Sequence, residues 1–309
     1  MLVNRVCLVL DVALWGSGMA KPEGVRVGCD SHAVVVPLFG EMPPDLPGYL
    51  MKLANFGLEP VIVDNRVDSN LREGSSLLAS WINLSNLNKG GIAGALNRGV
   101  EAALASGVHW ITLLDQDSRI APEGISRLLD PLRSCPSERL VVGPTIWDAQ
   151  RNRVHDKARG GAKMVMSTRL LISSGITFHA SQWHGLGPFH EGLFIDYVDH
   201  YWCFRAQQRG YQLLRHGGVM LCQYFGDPHP NIFCRWLGMQ LYSPARHFYA
   251  LRNLRWLVLR RCIPADLKIK ELLKMMFKPW FWLLFEPDRG RNLIAILRGL
   301  TQAIPPETT

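Results

Sequence analysis

The sequence predicts an α/β fold: a mostly parallel central sheet with helices on both faces, followed by a helical C-terminal region. Two observations carry that expectation. Strand-length apolar runs alternate with helical patterns through the first half of the chain. Beyond about residue 235 the pattern becomes helical throughout and rich in Arg, Lys, Trp, Phe and Leu. Alternation of the first kind implies strands joined by crossover helices.

The elements follow in order. Residues 1–31 read as an N-terminal extension; their apolar run resembles a signal peptide, but Asp11 interrupts it. "AVVVPLF" (33–39) is a β-branched strand ending in a Pro/Gly-rich loop, and a helix is expected over 49–56. "LEPVIVDN" is a second strand, stopped by Asp64-Asn65. "SWINL" leads into "SNLNKGGIAGALNRGVEAALASG", glycine-rich at its start and helical after it. "VHWITLLDQDS" is the next strand, "APEGISRLLDPLRSC" one helix with Pro122 in its first turn, and "RLVVGPTI" a further strand. The α/β domain is placed at 32–232 and the helical region at 233–309. In such sheets ligands gather beyond the carboxyl ends of the strands. Here those ends carry Pro37, Asp64-Asn65 and Asp115-Gln116-Asp117.

Composition narrows the function classes. With 48% hydrophobic and 19% charged residues among 309, the chain is globular rather than disordered. Its net charge of +8 favours polyanionic partners. Nucleic acid is disfavoured, because no helix-turn-helix, RNA-recognition or zinc signature accompanies the charge. The seven cysteines are scattered without a CxxC pair, which suits reduced thiols in the cytoplasm and argues against zinc. No apolar stretch is long enough to span a membrane. The segment "KPWFWLLF" and its neighbours put basic residues beside aromatics, as in a helix lying peripherally on an anionic membrane. Ordinary amphipathic helices covering the sheet explain the pattern equally.

Chemistry concentrates in four short stretches. In "LLDQDS", Asp115 and Asp117 leave a strand two residues apart, so both carboxylates approach one hard divalent cation, Mg²⁺ or Mn²⁺. Such a cation offsets charge on a departing diphosphate. Asp64 ends its strand where a carboxylate meets a nucleobase or ribose. The "NKGGIAG" turn places glycines for close backbone approach to a ligand, at a helix N-terminus that favours anions. Its spacing is not GxGxxG, which disfavours dinucleotides. Finally, "FIDYVDHYWCFR" (194–205) carries Asp196 and Asp199 three residues apart.

The ordered set "VDN", "NKGGIAGALNRG", "LLDQDS", "LLISSG", "LFIDYVD" and "RHFYALRN" closely resembles the rhamnosyltransferase branch of glycosyltransferase family 2, over about residues 32–255. The resemblance implies a GT-A fold and inverting transfer of L-rhamnose from dTDP-L-rhamnose. It also implies a cell-surface glycan or lipid-linked acceptor, met at the cytoplasmic face of the membrane. It makes Asp64 the base- or ribose-contacting acid, with Asn65, Asn88 and Gly91 at the same nucleotide-sugar site. Asp115 and Asp117 become the diphosphate and metal acids, Asp199 the general base, and Ser174 and Gly175 part of the cleft lining. Asp196 and Trp202 are supporting residues, and Arg252 meets phosphate or membrane, or is a plain surface charge. Two departures stand out: Tyr201 occupies the acid position of "VDxEW", and Gln223 replaces a histidine near the metal. They motivate a second reading, a degenerate transferase that binds nucleotide sugar without turnover.

Overall fold

The computed structural model of the chain describes residues 30–67, 81–135, 138–155, 165–229, 231–236 and 240–306. The extension expected over 1–31 lies almost wholly outside them. Strand β1 (His32–Leu38) is buried along its whole length. Its side chains alternate between two cores, Ala33 and Val35 on one face, Val34, Val36 and Leu38 on the other. A strand buried on both faces needs a helical layer on each side. Helix α1 (Leu46–Asn55) supplies one through Leu46, Leu50 and Leu53. After β2 (Glu59–Asp64) and β3 (Ile82–Ser85), helix α2 (Gly91–Ala105) supplies the other through Ala93, Leu96 and Val100. A Cβ at Gly99 would collide with Val35 and Val63, so glycine lets α2 lie directly on β1 and β2.

The strands β3, β2, β1 and β4 (Trp110–Leu113) run parallel in that spatial order. Past the short β5 (Arg119–Ile120), the single helix expected over 121–135 is two, α3 (Pro122–Arg127) and α4 (Leu129–Ser134). Pro131 has no N–H with which to continue the ladder. The second half of the sheet corrects the simplest parallel expectation. β6 (Leu140–Asp148) does not pair with β4; β9 (Thr177–His179) inserts antiparallel between them. A buried polar staple marks the insertion, where Thr112 Oγ1 lies 2.8 Å from both Thr177 Oγ1 and His32 Nε2. β10 (Gln212–Gln223) then pairs parallel with β6. The short β7 (Arg153–Val154) and β8 (Val165–Ser167) fringe the sheet.

Helices α5 (Trp183–Leu186) and α6 (Val198–Gln208) pack Trp183 and Trp202 into the α2-side core with Phe178 and Phe189. Beyond a small ribbon of β11 (Asp227–Pro228) and β12 (Gln240–Leu241), with α7 (Ile232–Trp236) between, the C-terminal region is helical. Its helices are α8 (Pro244–Val258), α9 (Ala265–Phe285) and α10 (Arg289–Thr301). Ser243 caps α8 with Pro244 in its first turn, and Pro287 separates α9 from α10. Among the described residues no helix is long and apolar enough to cross a membrane.

Candidate active site

The carboxyl ends of β1, β2 and β4 open onto a cleft of about 720 Å³, a volume suited to a nucleotide-sized ligand. Pro37, Phe39, Asn65, Asn88, Asp115 and Ser173 line one side of it. The residues 194–200, α8 and α9 line the other.

The Asp-Gln-Asp turn is fixed from every side. Gln116 bonds both backbone groups of Phe39, accepting from its N–H at 3.0 Å and donating to its carbonyl at 2.7 Å. Arg119 donates to the carbonyls of Gln116 and Ser118. The Asp115 N–H donates to Ser174 Oγ at 3.0 Å, and Gln223 Nε2 donates to Asp115 Oδ2 at 3.0 Å. Burial, with Asp117 and Asp199 as like charges nearby, pushes the Asp115 carboxyl up to about 7. Asp117 is also raised, chiefly by desolvation. Two buried carboxyls raised in this way, with Arg119 offsetting only part of the rise at Asp117, suit a cation site. The donor set fits one: Asp115, Asp117 and the buried Gln223 Oε1, which has no hydrogen-bond partner among the described residues, are oxygens of the kind Mg²⁺ or Mn²⁺ prefers. No group of three or more His, Cys, Asp or Glu gathers among the described residues, so the third oxygen of the set is an amide rather than a carboxylate.

Asp64 is 5% exposed and its carboxylate is held by Arg66, Nε to Oδ1 and Nη2 to Oδ2, both at 2.9 Å. It therefore stands behind the cleft wall, with Asn65 in front of it. Asn65 donates to Asn88 Oδ1 and to the Gly91 carbonyl, and accepts from Asn86. The glycine-rich turn needs a correction. A Cβ at Gly91 would collide with the Phe194 carbonyl, and the Ile92 N–H donates to that same oxygen at 2.9 Å. The carboxylate of Glu191 packs beside Gly90 and Gly94 and accepts from Asn97. The glycines thus admit another loop of this chain, and the anion at the α2 N-terminus is Glu191.

That loop carries the proposed base. Phe194, Asp196 and Tyr197 all have positive φ, at 66°, 60° and 62°. Each costs about 1–3 kcal/mol, so the surroundings must hold them. Asn253 Nδ2 reaches the carbonyls of Leu193 and Ile195 at 2.7 Å and of Asp196 at 3.0 Å. Arg252 bonds the Gly192 and Leu193 carbonyls and orients Asn253 through its Oδ1. Arg252 is 5% exposed, so it is neither a surface charge nor a free phosphate ligand. Arg246 grips Asp196 through Nε and Nη2, while Tyr197 donates to Glu271 of α9.

The loop delivers Asp199 to the first turn of α6, facing the cleft. Its Oδ1 accepts from the His200 backbone N–H at 2.8 Å and from His200 Nδ1 at 2.9 Å, so Oδ2 is not taken up by them. Burial opposes ionisation, yet the His200 charge and hydrogen bonds outweigh it and hold Asp199 below the usual carboxylate range.

Three other assignments change. Ser174 is buried beneath Asp115, and Gly175 (φ 87°) packs on Pro144, so Ser173 lines the cleft in their place. Trp202 is a core residue that stacks on Phe189 and donates to the Gly187 carbonyl. Tyr201 lies off the cleft, edge-on to Trp256 at 4.8 Å and under the Arg205 guanidinium at 5.5 Å. Phe39, Glu191, His200 and Arg246 join the site without being singled out by the sequence. Of these, Arg246 alone carries a signal, since "RHFYALRN" spaces it seven residues from Asn253 on one helical face.

A mostly parallel sheet whose strand ends open onto a cleft lined by Asp115, Asp196 and Asp199 suits a nucleotide-sugar-dependent glycosyltransferase. Residues 33–181 match the family model for Glycosyl transferase family 2. It is 28% identical over 257 residues to the dTDP-rhamnosyl transferase RfbF of Shigella flexneri, covering 78% of this chain and 84% of the relative. Among solved structures, GalNAc-T7 with UDP, GalNAc and Mn²⁺ superposes with a TM-score of 0.51 at 13% identity, over 83% of this chain. This chain spans 58% of that longer one. Residues 1–349 of S. aureus TarS align over 89% of this chain and 81% of that fragment at 15% identity, with a TM-score of 0.49.

Proposed function

We propose that the protein transfers L-rhamnose from dTDP-L-rhamnose, with inversion, to a hydroxyl of a cell-surface glycan or lipid-linked acceptor at the cytoplasmic face of the membrane. The observation that supports the mechanism is that Asp199, its Oδ1 held by His200, lines the same cleft as Asp115. The likeness to a dTDP-rhamnosyl transferase supports the donor.

Asp199 accepts the proton of the acceptor hydroxyl as that oxygen attacks the anomeric carbon, opposite the departing nucleoside diphosphate. His200 fixes the carboxylate's orientation and keeps it ionised. Asn88, its Oδ1 held by Asn65, presents its amide nitrogen to the donor, and Phe39, 60% exposed, offers an aromatic surface beside it. Asp115, Asp117 and Gln223 would hold a divalent cation, which when bound neutralises diphosphate charge. Tyr201 lies outside the cleft, so its departure from the family motif does not touch the base.

The test is dTDP release from dTDP-L-rhamnose with Mg²⁺ or Mn²⁺ and membrane-derived acceptors. Asp199→Asn should lower kcat by about 10²-fold or more. Equal turnover by that variant removes Asp199 as the base, and retained anomeric configuration in the product removes the inverting mechanism.

A further inference from the structure

Donor transfer leaves one wall of the cleft without a task. Lys274, Lys278 and Trp282, one helical turn apart on α9, line it. Lys274 pairs with Glu271. Lys278 is exposed at the cleft and has no ion-pair partner among the described residues. These cations stand on the side of the base. Lys274 acts electrostatically on His200, and Lys278 feels Asp196, whereas the charges acting on Asp115 and Asp117 include no lysine. An anion held here therefore belongs to the acceptor rather than to the donor diphosphate.

The outer face of the same helix is apolar. Ile269, Leu273, Met276, Phe277, Trp280 and Leu284 recur at helical spacing and are 50–64% exposed. At 1.5 Å per residue that stripe is about 22 Å long. Ile294 and Leu297 of α10 extend the apolar surface, and Lys270, Arg289, Arg291 and Arg298 are exposed around it. Aromatic and aliphatic residues flanked by cations are what an interfacial helix presents to an anionic bilayer. A second copy would bring like charges against the same cations.

We propose that α9 forms an acceptor site for a lipid-borne phosphate: its outer face lies in the bilayer surface, and Lys278, with Lys274, takes the phosphate of a membrane-anchored acceptor beside Asp199. The inference rests on Asp199 marking the acceptor side.

Two binding measurements on the full chain test it. The first is co-sedimentation with vesicles of phosphatidylcholine, with and without phosphatidylglycerol. The second is quenching of tryptophan fluorescence by farnesyl phosphate, with inorganic phosphate as competitor. Wild type should bind the anionic vesicles, and Phe277→Ser/Trp280→Ser should bind them at least about tenfold more weakly while keeping its thermal shift with dTDP-L-rhamnose. Lys278→Gln should weaken farnesyl phosphate about tenfold, Lys278→Arg should restore it, and vesicle affinity should change by no more than about fivefold. Inorganic phosphate should compete only at concentrations at least about tenfold higher. Undiminished vesicle binding by the double variant, undiminished farnesyl phosphate binding by Lys278→Gln, or equal competition by inorganic phosphate would each overturn the proposal. So would a dimer that the double variant dissolves in the absence of vesicle binding. An active Asp199→Asn enzyme would instead remove the base assignment and leave these binding results intact.

Discussion

His200 donates twice to one oxygen of Asp199, from its backbone nitrogen at 2.8 Å and from Nδ1 at 2.9 Å. The two groups shift in opposite directions. Burial disfavours charge on both, but the pairing prevails, lowering Asp199 from 3.8 and raising His200 from 6.5. The His200 contribution to stability is fully present below 6.5 and is lost as pH rises through its raised folded value. The Asp199 contribution is present above 3.8 and is lost as pH falls through its lowered value. His200→Gln should therefore cost more stability at pH 6 than at pH 9, measured by thermal unfolding. It should also move the acid limb of kcat/KM to higher pH, since Asp199 loses the charge that keeps it ionised.

Asn253 carries the strained loop. Asn253→Ala leaves three carbonyls without their donor and should destabilise the protein by about 2–3 kcal/mol in urea unfolding. The kcat should fall by more than about tenfold, because Asp199 follows the three positive-φ positions directly. Asn253→Asp should be worse on both measures, since it sets acceptor against acceptor.

Gln223 Oε1 is buried and has no hydrogen-bond partner among the described residues, which suits the proposed role at a cation. Gln223→Glu adds a carboxylate beside Asp115 and should tighten Mn²⁺ binding about tenfold by calorimetry, while Gln223→Leu should weaken it by a similar factor. Mn²⁺ affinity unchanged in both variants would show that Gln223 does not face the cation.

Tyr201 packs on Trp256 and Arg205 rather than on the cleft. Tyr201→Phe keeps the ring and should leave kcat within about twofold. Tyr201→Glu restores the family acid four residues before Arg205, at ion-pair spacing along α6, and should shift the melting temperature without raising kcat.

The α/β layers and the strand ends bearing Asn65 and Asp115 were legible because local periodicity and chain breakers specify them. The antiparallel β9 was not, since three residues carry no period and their pairing with β4 and β6 spans distant sequence. The glycines of 90–94 were recognised as points of close approach, but what approaches is Glu191 and Phe194, about a hundred residues later. Arg252 looked like any helical arginine, and only its contact with the Gly192 carbonyl reveals its role.

The bonds from Arg252 and Asn253 to 192–196 also bear on modularity. They make α8 a structural part of the loop that leads to Asp199, although the chain reaches it only after the sheet is complete. A fragment ending near residue 235 would retain Asp115, Asp117 and Asp199 but lack the donors that hold the loop in place. Grafting C-terminal helices from a relative to change acceptor preference would succeed only where the graft begins beyond Asn253.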